Sequence, residues 1–254
     1  MHAPQKIAVA GATGRVGSHI VDVLTERGHE VVPMARGVGV DVISGEGLAD
    51  AVAGATCIVD AATGPSPDQR AATEFFTAAT RNLHAAGAAG GAERMIVLSI
   101  IGTDRFTAGY NAAKAAHERA ALAGPVPVQI LRAAQFHEFV PQLVAWGTQG
   151  DRAYVQQMRT QLVGARAVAE AVADLVEGPA PDGSPVAEVA GPREESLVEA
   201  ARLLAARRGL GVTVEGVSDP SDPDRHLLED GGLLPGPAAT LAGPTFEQWL
   251  GGAA

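Results

Sequence analysis

The chain has 254 residues, a hydrophobic fraction of 46% and a formal net charge of −10. That length suits one large α/β domain, with or without a small appendage. The negative charge repels phosphate backbones and anionic membrane surfaces, so we expect no nucleic-acid or membrane partner. The single cysteine, Cys57, excludes an internal disulfide, and no signal-peptide pattern precedes the first predicted strand. We therefore expect a cytoplasmic protein.

Short apolar runs alternate with longer amphipathic segments, which is the βαβ pattern of a parallel sheet. The predicted strands are 6–10, 30–35, 56–61, 94–100 and 126–131. The predicted helices are 16–27, 68–86, 109–123, 165–177 and 194–208. This order predicts a Rossmann-type, doubly wound parallel sheet with a small C-terminal substrate-side lobe. Residues 1–133 would form the dinucleotide-binding core, and residues 134–254 would complete the fold and form the substrate pocket.

A glycine loop joins the first predicted strand to the first predicted helix. Gly11 permits a tight turn, Gly14 lets the backbone approach a pyrophosphate, and Gly17 lets the helix pack against the strand. The helix N-terminus then offers unpaired N–H groups to phosphate. We therefore predict a nicotinamide-dinucleotide site, with loop contacts at Gly11, Thr13, Gly14, Arg15, Val16 and Gly17.

The end of the second predicted strand bears on the choice between NADP(H) and NAD(H). NAD-selective folds usually place an acidic residue there to bind the ribose 2′-hydroxyl. This chain has Arg36 instead, and no acid follows until Asp41. Arg36 and Arg15 could both reach a 2′-phosphate, whose geometry suits a guanidinium. NADP(H) is therefore the favoured cofactor, with NAD(H) as the alternative.

A tyrosine and a lysine stand four residues apart at Tyr110 and Lys114, in a chain with only two of each. On a helix this spacing puts both side chains on one face. Reduction of a carbonyl produces an alkoxide that needs a proton, which a tyrosine can supply. A neighbouring ammonium stabilises the phenolate and lowers the tyrosine pKa. We therefore predict that Tyr110 is the proton donor and Lys114 its activator and a ribose contact.

Together these features resemble the short-chain dehydrogenase/reductase superfamily and, more narrowly, its atypical NmrA-like branch of NAD(P)H-binding oxidoreductases. The resemblance covers nearly the whole chain and is most specific over residues 11–17, 98–105, 110–114 and 130–136. It implies a catalytic serine or threonine shortly after the strand that precedes the tyrosine helix. Ser99 is the candidate for that role, and Thr103 is the fallback.

The resemblance also implies further contacts. Segment 39–42 is similar to an adenine-contacting strand end, which implies that Asp41 and Val42 flank the adenine. Segment 60–64 is similar to the strand end beside the cofactor ribose, which implies that Ala62 and Thr63 contact the cofactor. The residues implied near the nicotinamide or substrate are Gln135, Phe136 and His137, with a packing role favoured for the histidine. The histidines show no metal-ligand spacing, so no metal is predicted.

The predicted function is hydride transfer between NADP(H) and a small carbonyl, enone or quinone-like substrate. The alternative from another class is an NmrA-like regulatory protein that senses NADP without turnover. A sugar-nucleotide epimerase or dehydratase is disfavoured, because the chain is short for a large nucleotide-sugar lobe. The sequence leaves the substrate's identity and the oligomeric state open, with a homo-oligomer as one alternative.

Overall fold

A computed structural model of the protein describes residues 3–179 and 184–252. The strands are β1 (Lys6–Ala10), β2 (Glu30–Met34), β3 (Cys57–Asp60), β4 (Arg94–Ile100), β5 (Val128–Ala133), β6 (Thr148–Gln149), β7 (Arg152–Gln156), β8 (Arg159–Thr160), β9 (Val186–Ala190), β10 (Glu195–Ser196), β11 (Thr213–Val217) and β12 (Thr240–Leu241). The helices are α1 (Arg15–Glu26), α2 (Leu48–Val52), α3 (Gln69–Gly90), α4 (Gly109–Leu122), α5 (Val140–Gly147), α6 (Ala165–Glu177), α7 (Leu197–Arg208), α8 (Arg225–Glu229) and α9 (Phe246–Gly252). Over these residues no helix has both the length and the apolar character needed to cross a bilayer.

The central sheet has seven parallel strands in the order β2-β1-β3-β4-β5-β9-β12. The chain runs from β1 outward to the edge strand β2, and then crosses back to β3 on the other side of β1. In open α/β sheets ligands bind at such a reversal, outside the carboxyl ends of the strands. Pro33 is tolerated in β2 because a proline cannot donate to the ladder but is accepted on an edge. The predicted Rossmann-type fold is confirmed.

Two helical layers cover the two faces of this sheet, because successive side chains of a strand point to opposite faces. Ile7 and Val9 of β1 pack in the core cluster that includes residues of α1 and α6. Ala8 and Ala10 pack in the other cluster, which includes residues of α3 and α4. Strands buried on both faces explain the near-continuous apolar runs of the sequence.

The C-terminal part of the chain contributes strands to the central sheet and also forms a smaller lobe. Strands β9 and β12 lie at the edge of the central sheet next to β5. The lobe contains a three-stranded sheet, in which β7 lies between β6 and β11, and the short antiparallel pair β8–β10. Helices α5, α7 and α9 share its apolar core with these strands. The proposed division between residues 133 and 134 stays a prediction.

The predicted strands and helices are confirmed, with small differences in their bounds. β1, β4 and α6 begin and end at the predicted residues. β5 begins at Val128 rather than at residue 126, because the Val126 N–H donates to His84 Nδ1 at 3.3 Å and Pro127 has no N–H to donate. Helix α7 begins three residues later than predicted, since Ser196 Oγ caps it by accepting from the Glu199 N–H.

Candidate functional site

The glycine loop lies at the carboxyl end of β1, beside the end of β3. Gly11 has a φ of +77°, and a Cβ there would lie 2.6 Å from the Ala61 carbonyl oxygen. A Cβ on Gly17 would overlap the Gly11 carbonyl oxygen, so glycine permits the close approach of α1. Gly14 differs, because its φ of −77° and ψ of 171° form extended backbone that any residue adopts. A side chain at Gly14 would instead fill the space where a pyrophosphate approaches the loop.

Helix α1 begins directly after the loop, and no side chain caps its N-terminus. The first N–H groups of a helix have no intrahelical partner, and the helix dipole attracts anions to them. Val16 is buried in the core, so only its backbone can face a ligand, whereas Thr13 is exposed. A glycine cradle followed by an uncapped helix N-terminus fits the pyrophosphate of a dinucleotide.

The two arginines expected to meet a 2′-phosphate have different surroundings. Arg36 is exposed in a single 3-10 turn directly after β2, and its side chain has no hydrogen bond or ion pair within residues 3–179 and 184–252. The Arg15 guanidinium instead donates to Gln142 Oε1 at 2.7 Å and lies 5.7 Å from the centre of the Phe139 ring. Arg36 is therefore free to meet a phosphate, and Arg15 is engaged with α5 and the turn before it.

Segment 39–42 does not end a strand, so that part of the prediction is wrong. Gly39 has a φ of +80° and turns the chain out of the direction of β2. Asp41 Oδ1 then accepts a hydrogen bond from the Ile43 N–H at 2.7 Å, and Asn82 of α3 donates to the Val42 carbonyl at 2.9 Å. The segment is a loop tied to α3. The contact of Asp41 and Val42 with an adenine stays a prediction.

The end of β3 lies next to the glycine loop. The Ala62 N–H donates to Asp60 Oδ1 at 3.1 Å, which turns the chain at this point. Ala62 is buried and Thr63 is exposed. Their position beside Gly11 is compatible with the predicted contact to the cofactor ribose, which stays a prediction.

Tyr110 and Lys114 lie one turn apart on α4, as their spacing predicts. The Tyr110 ring is partly buried and meets Phe76 of α3 edge-on, with ring centres 5.9 Å apart. Lys114 is only 5% exposed, and its Nζ donates to the Leu98 carbonyl at 2.7 Å and to His117 Nδ1 at 2.8 Å. The ammonium also lies 4.4 Å from the centre of the Phe76 ring. The lysine is therefore held at the end of β4 from three directions.

Burial is the largest cause of the pKa shift of both Tyr110 and Lys114. It raises the pKa of Tyr110 to about 12. It lowers the pKa of Lys114 to about 8, against the opposing attraction of the Asp60 and Glu118 carboxylates. Within the described part of the chain no hydrogen bond joins Tyr110 to Lys114. The expected lowering of the Tyr110 pKa by Lys114 is therefore not seen, and burial is the cause of the Tyr110 shift.

Ser99 and Thr103 can be compared directly as candidate hydroxyl groups. Ser99 has the same strand parity as Met95 and Val97, whose side chains face the α3–α4 layer. It is 2% exposed, and among the residues described here its hydroxyl has no hydrogen-bond partner. The Thr103 hydroxyl already donates to the Asn111 carbonyl at 2.6 Å. Ser99 is therefore the better placed of the two, and its catalytic role stays a prediction.

A buried histidine and a buried aspartate extend this site, and sequence analysis missed both. His117 Nε2 lies 3.1 Å from Asp60 Oδ2, and the two side chains are 1% and 2% exposed. The His117 ring stacks on Phe76, with ring centres 4.6 Å apart. His117 follows Lys114 by three residues, so helical spacing could have placed it on the same face. Asp60 ends an otherwise apolar strand, which was the second available signal.

The residues after β5 face the smaller lobe. Gln135 Oε1 accepts from the Thr160 hydroxyl at 2.6 Å, and Phe136 is partly buried. His137 is fully buried, its Nε2 lies 3.1 Å from the Pro244 carbonyl, and its ring is 5.4 Å from that of Trp249. The packing role describes His137, because α9 covers its ring, and its placement beside a substrate stays a prediction. The roles of Gln135 and Phe136 stay predictions.

A cavity of about 360 Å³ lies in the smaller lobe. Its wall includes Met158, Arg159 and Arg202, and the two guanidinium groups pair with Glu194 and Glu199. Met158 also packs in the apolar cluster that contains Ile100, the last residue of β4. Met158 therefore lies between the cavity and the carboxyl edge of the central sheet.

Comparison with known proteins adds a family match and a set of similar folds. The model of the NAD dependent epimerase/dehydratase family matches residues 7–123, a little under half of the chain. The matched segment contains the glycine loop, Asp60, Ser99 and the tyrosine–lysine pair. A search of curated protein sequences found no significant match.

Several solved structures have the same fold at low sequence identity. MoeE5 in complex with UDP-glucuronic acid and NAD is 18% identical, with a TM-score of 0.73 over 97% of this chain and 96% of that one. A nucleoside-diphosphate-sugar epimerase from Staphylococcus aureus is 16% identical, with a TM-score of 0.71 over 96% of this chain and 99% of that one. The dTDP-4-dehydrorhamnose reductase from Bacillus anthracis, in complex with NADP, is 16% identical, with a TM-score of 0.69 over 98% of both chains. The prediction that the chain is too short for a sugar-nucleotide enzyme is therefore wrong, because these proteins have nearly the same chain length.

Proposed function

We propose that this protein belongs to the NAD-dependent epimerase/dehydratase family and oxidises or reduces a carbon–oxygen group of its substrate. One observation carries the proposal: the glycine loop, the Ser99 hydroxyl, which has no partner within residues 3–179 and 184–252, and the Tyr110–Lys114 face of α4 all lie at the carboxyl edge of one sheet. This edge is where open α/β sheets bind their ligands. A bound nicotinamide dinucleotide supplies the donor or acceptor of hydride there.

The chain's own groups then handle the proton. Burial keeps the pKa of Tyr110 at about 12, so the phenol is protonated at neutral pH and can donate to an alkoxide. We expect the Lys114 ammonium, one turn away on the same face of α4, to stabilise the phenolate through its charge once the proton has left. The Ser99 hydroxyl, which has no hydrogen-bond partner in the described part of the chain, is available to hydrogen-bond the reacting oxygen of the substrate.

The cofactor site is formed by the glycine loop, the N-terminus of α1 and the end of β2. NADP(H) is the favoured cofactor, because Arg36 is an exposed cation without a partner among the residues described. A charge-assisted contact to phosphate contributes about 1.5–3 kcal/mol. Arg36→Ala should therefore weaken NADP(H) binding about tenfold to a hundredfold and leave NAD(H) binding unchanged. Arg208→Ala, which removes an exposed arginine of α7, is the matched control in calorimetry. Equal affinity of the unaltered protein for NAD(H) and NADP(H) contradicts the preference.

A nucleoside-diphosphate sugar is the substrate class to test first, in place of the small carbonyl, enone or quinone expected from the sequence. Similar folds were solved with UDP-glucuronic acid and UDP-glucose. Arg159 and Arg202 also line the cavity of about 360 Å³, where their guanidinium groups pair with Glu194 and Glu199, so a diphosphate would replace a carboxylate at each. Arginine binds phosphate oxygens in a fixed planar geometry, which suits a diphosphate.

The decisive experiment is turnover of a panel of nucleoside-diphosphate sugars and small carbonyls, followed by nicotinamide absorbance and product analysis. Tyr110→Phe removes one hydroxyl and keeps the ring, so turnover should fall about 10²–10⁴-fold while cofactor affinity is retained. Tyr154→Phe, at the only other tyrosine, is the control and should keep its activity. Near-normal turnover in Tyr110→Phe would reject the proposed proton donor.

An NADP-sensing regulatory protein is the second candidate function. It is favoured by one observation, namely that the Lys114 ammonium is bonded to Leu98 and His117 and no hydrogen bond links it to Tyr110 within the described residues. Tight NADP(H) binding with no turnover across the panel would support this second function over the first.

A further inference from the structure

A continuous line of hydrogen bonds runs from the end of β4 to the end of β3 through the side chains of α4. Lys114 Nζ donates to the Leu98 carbonyl at 2.7 Å and to His117 Nδ1 at 2.8 Å, and His117 Nε2 lies 3.1 Å from Asp60 Oδ2. An ammonium has no acceptor, so His117 Nδ1 must accept its hydrogen. The neutral imidazole then carries its proton on Nε2 and donates it to Asp60. The direction of every hydrogen bond in the line is thereby determined.

This arrangement joins two buried charges through a neutral ring. Lys114 is 5% exposed and Asp60 is 2% exposed, and a buried charge is costly unless it is paired and hydrogen-bonded. Burial would raise the pKa of Asp60, but the bond from His117 and the Lys114 charge hold it below its ordinary value. The pKa of His117 is lowered by burial and then by the Lys114 charge. Both effects keep the imidazole neutral between an ammonium and a carboxylate.

We infer that His117 and Asp60 are positioning residues for Lys114, which hold its ammonium charged and aimed at the carboxyl edge of the sheet. The inference rests on the proposed function in one respect, namely that Lys114 serves Tyr110 and the cofactor ribose. The His117–Asp60 pair does not carry protons to solvent. Both Asp60 oxygens are occupied, by Ala62 N–H and His117, and the carboxylate is buried.

The other charged or titratable groups nearby are already committed elsewhere. Glu118 of α4 is bound by Arg132 of β5, with Oε2 2.6 Å from Nη2. His84 of α3 bonds to the backbone, at the Ala121 carbonyl and the Val126 N–H. Tyr110 is uncharged at neutral pH. Asp60 is therefore the carboxylate that compensates Lys114 without a cation partner of its own.

The test measures the lysine directly. The chain has two lysines, so a protein with isotope-labelled lysine gives two side-chain signals in an NMR titration, and Lys6 is an internal reference. In His117→Leu and Asp60→Asn the titration midpoint of Lys114 should fall by one pH unit or more, a tenfold loss of proton affinity. His117→Asn keeps an acceptor near the position of Nδ1 but loses the link to Asp60, so its midpoint should lie between those of His117→Leu and the unaltered protein.

A matched control comes from the opposite end of the sheet. His29 also donates through Nε2 to a carboxylate, Glu177 Oε1 at 3.2 Å, and accepts at Nδ1, here from the Gln5 N–H. His29→Leu therefore removes a buried histidine whose ring accepts from a backbone N–H instead of from a lysine, and the Lys114 midpoint should not move. An unchanged Lys114 midpoint in folded His117→Leu and His117→Asn would overturn the inference, as would an equal shift in His29→Leu.

Turnover separates this inference from the proposed function. If Tyr110→Phe keeps its activity while Lys114 shifts as expected, the catalytic proposal fails and the positioning role stands. If Tyr110→Phe is inactive and Lys114 does not shift, the positioning role alone fails. With an active substrate, the alkaline limb of the kcat profile should move down by about one pH unit in Asp60→Asn, with recovery toward the normal profile in Asp60→Glu.

Discussion

Two buried histidine–carboxylate pairs lie at opposite ends of the central sheet. At the amino end, His29 and Glu177 are 3.2 Å apart, and the His29 ring accepts from a backbone N–H. At the carboxyl end, His117 and Asp60 are 3.1 Å apart, and the His117 ring accepts from the Lys114 ammonium. The two rings use the same nitrogen atoms in the same way, and only the third partner differs.

The difference shows how one arrangement can serve two purposes. The His29–Glu177 pair joins the chain before β2 to the end of α6, and Glu177 also bonds Arg27 at 2.8 Å. That pair ties secondary-structure elements together near the surface, since Glu177 is 17% exposed. The His117–Asp60 pair is fully enclosed and compensates a buried lysine at the edge where parallel sheets bind ligands.

The largest effect should come from removing the lysine that distinguishes the two ends. Lys114→Met keeps the apolar stem of the side chain but removes its ammonium, so turnover should fall about a hundredfold or more if the Tyr110 phenolate depends on that charge. Lys6→Met, beside the amino-end pair, is the control and should keep its activity. Comparable losses in both variants would mean that the contrast between the two ends is not functional.

Removal of Asp60 and removal of Glu177 should lower the free energy of unfolding by different amounts. Asp60→Ala leaves the Lys114 charge buried without compensation, and breaking a buried pair in this way costs about 3–5 kcal/mol. Glu177→Ala should cost only about 1 kcal/mol, because Glu177 and its partner Arg27 are 17% and 29% exposed to water. Urea unfolding at neutral pH measures both values. A similar loss of unfolding free energy in the two variants would mean that the two pairs contribute equally to stability.

The smallest effect is a pH dependence of stability. The folded state lowers the Lys114 pKa from 10.5 to about 8, mainly through burial. Between these values the unfolded chain binds more protons than the folded one, so this group makes the folded state more stable as pH rises. From pH 7 to pH 9 the unaltered protein should therefore gain about 1 kcal/mol relative to Lys114→Met. Cys57 and Tyr110 contribute equally to both, and parallel stability curves for the two proteins would show that the lysine is not strained by burial.

The fold could be predicted from the sequence because its signals are local. Apolar runs, helical periodicity and the glycine loop gave five strands of the central sheet, and β1 and β4 were predicted to the residue. β9 and β12 were not predicted, since β12 has only two residues and β9 lies in a stretch rich in glycine and proline. Segment 39–42 was misjudged because β2 ends at Met34 and a 3-10 turn over Arg36–Val38 separates it from this segment.

In the candidate site too, residues close together in sequence were predicted, and partners distant in sequence were not. Tyr110 and Lys114 were found from their spacing on one helix, and Gly11, Gly14 and Gly17 from their spacing in one loop. The partnership of Lys114 with His117 and Asp60 was not found, because it joins α4 to a strand that ends 54 residues earlier than the lysine. Sequence periodicity reports which face a residue occupies, and only the packing of that face decides which buried groups it meets, what water it loses and how far its pKa moves.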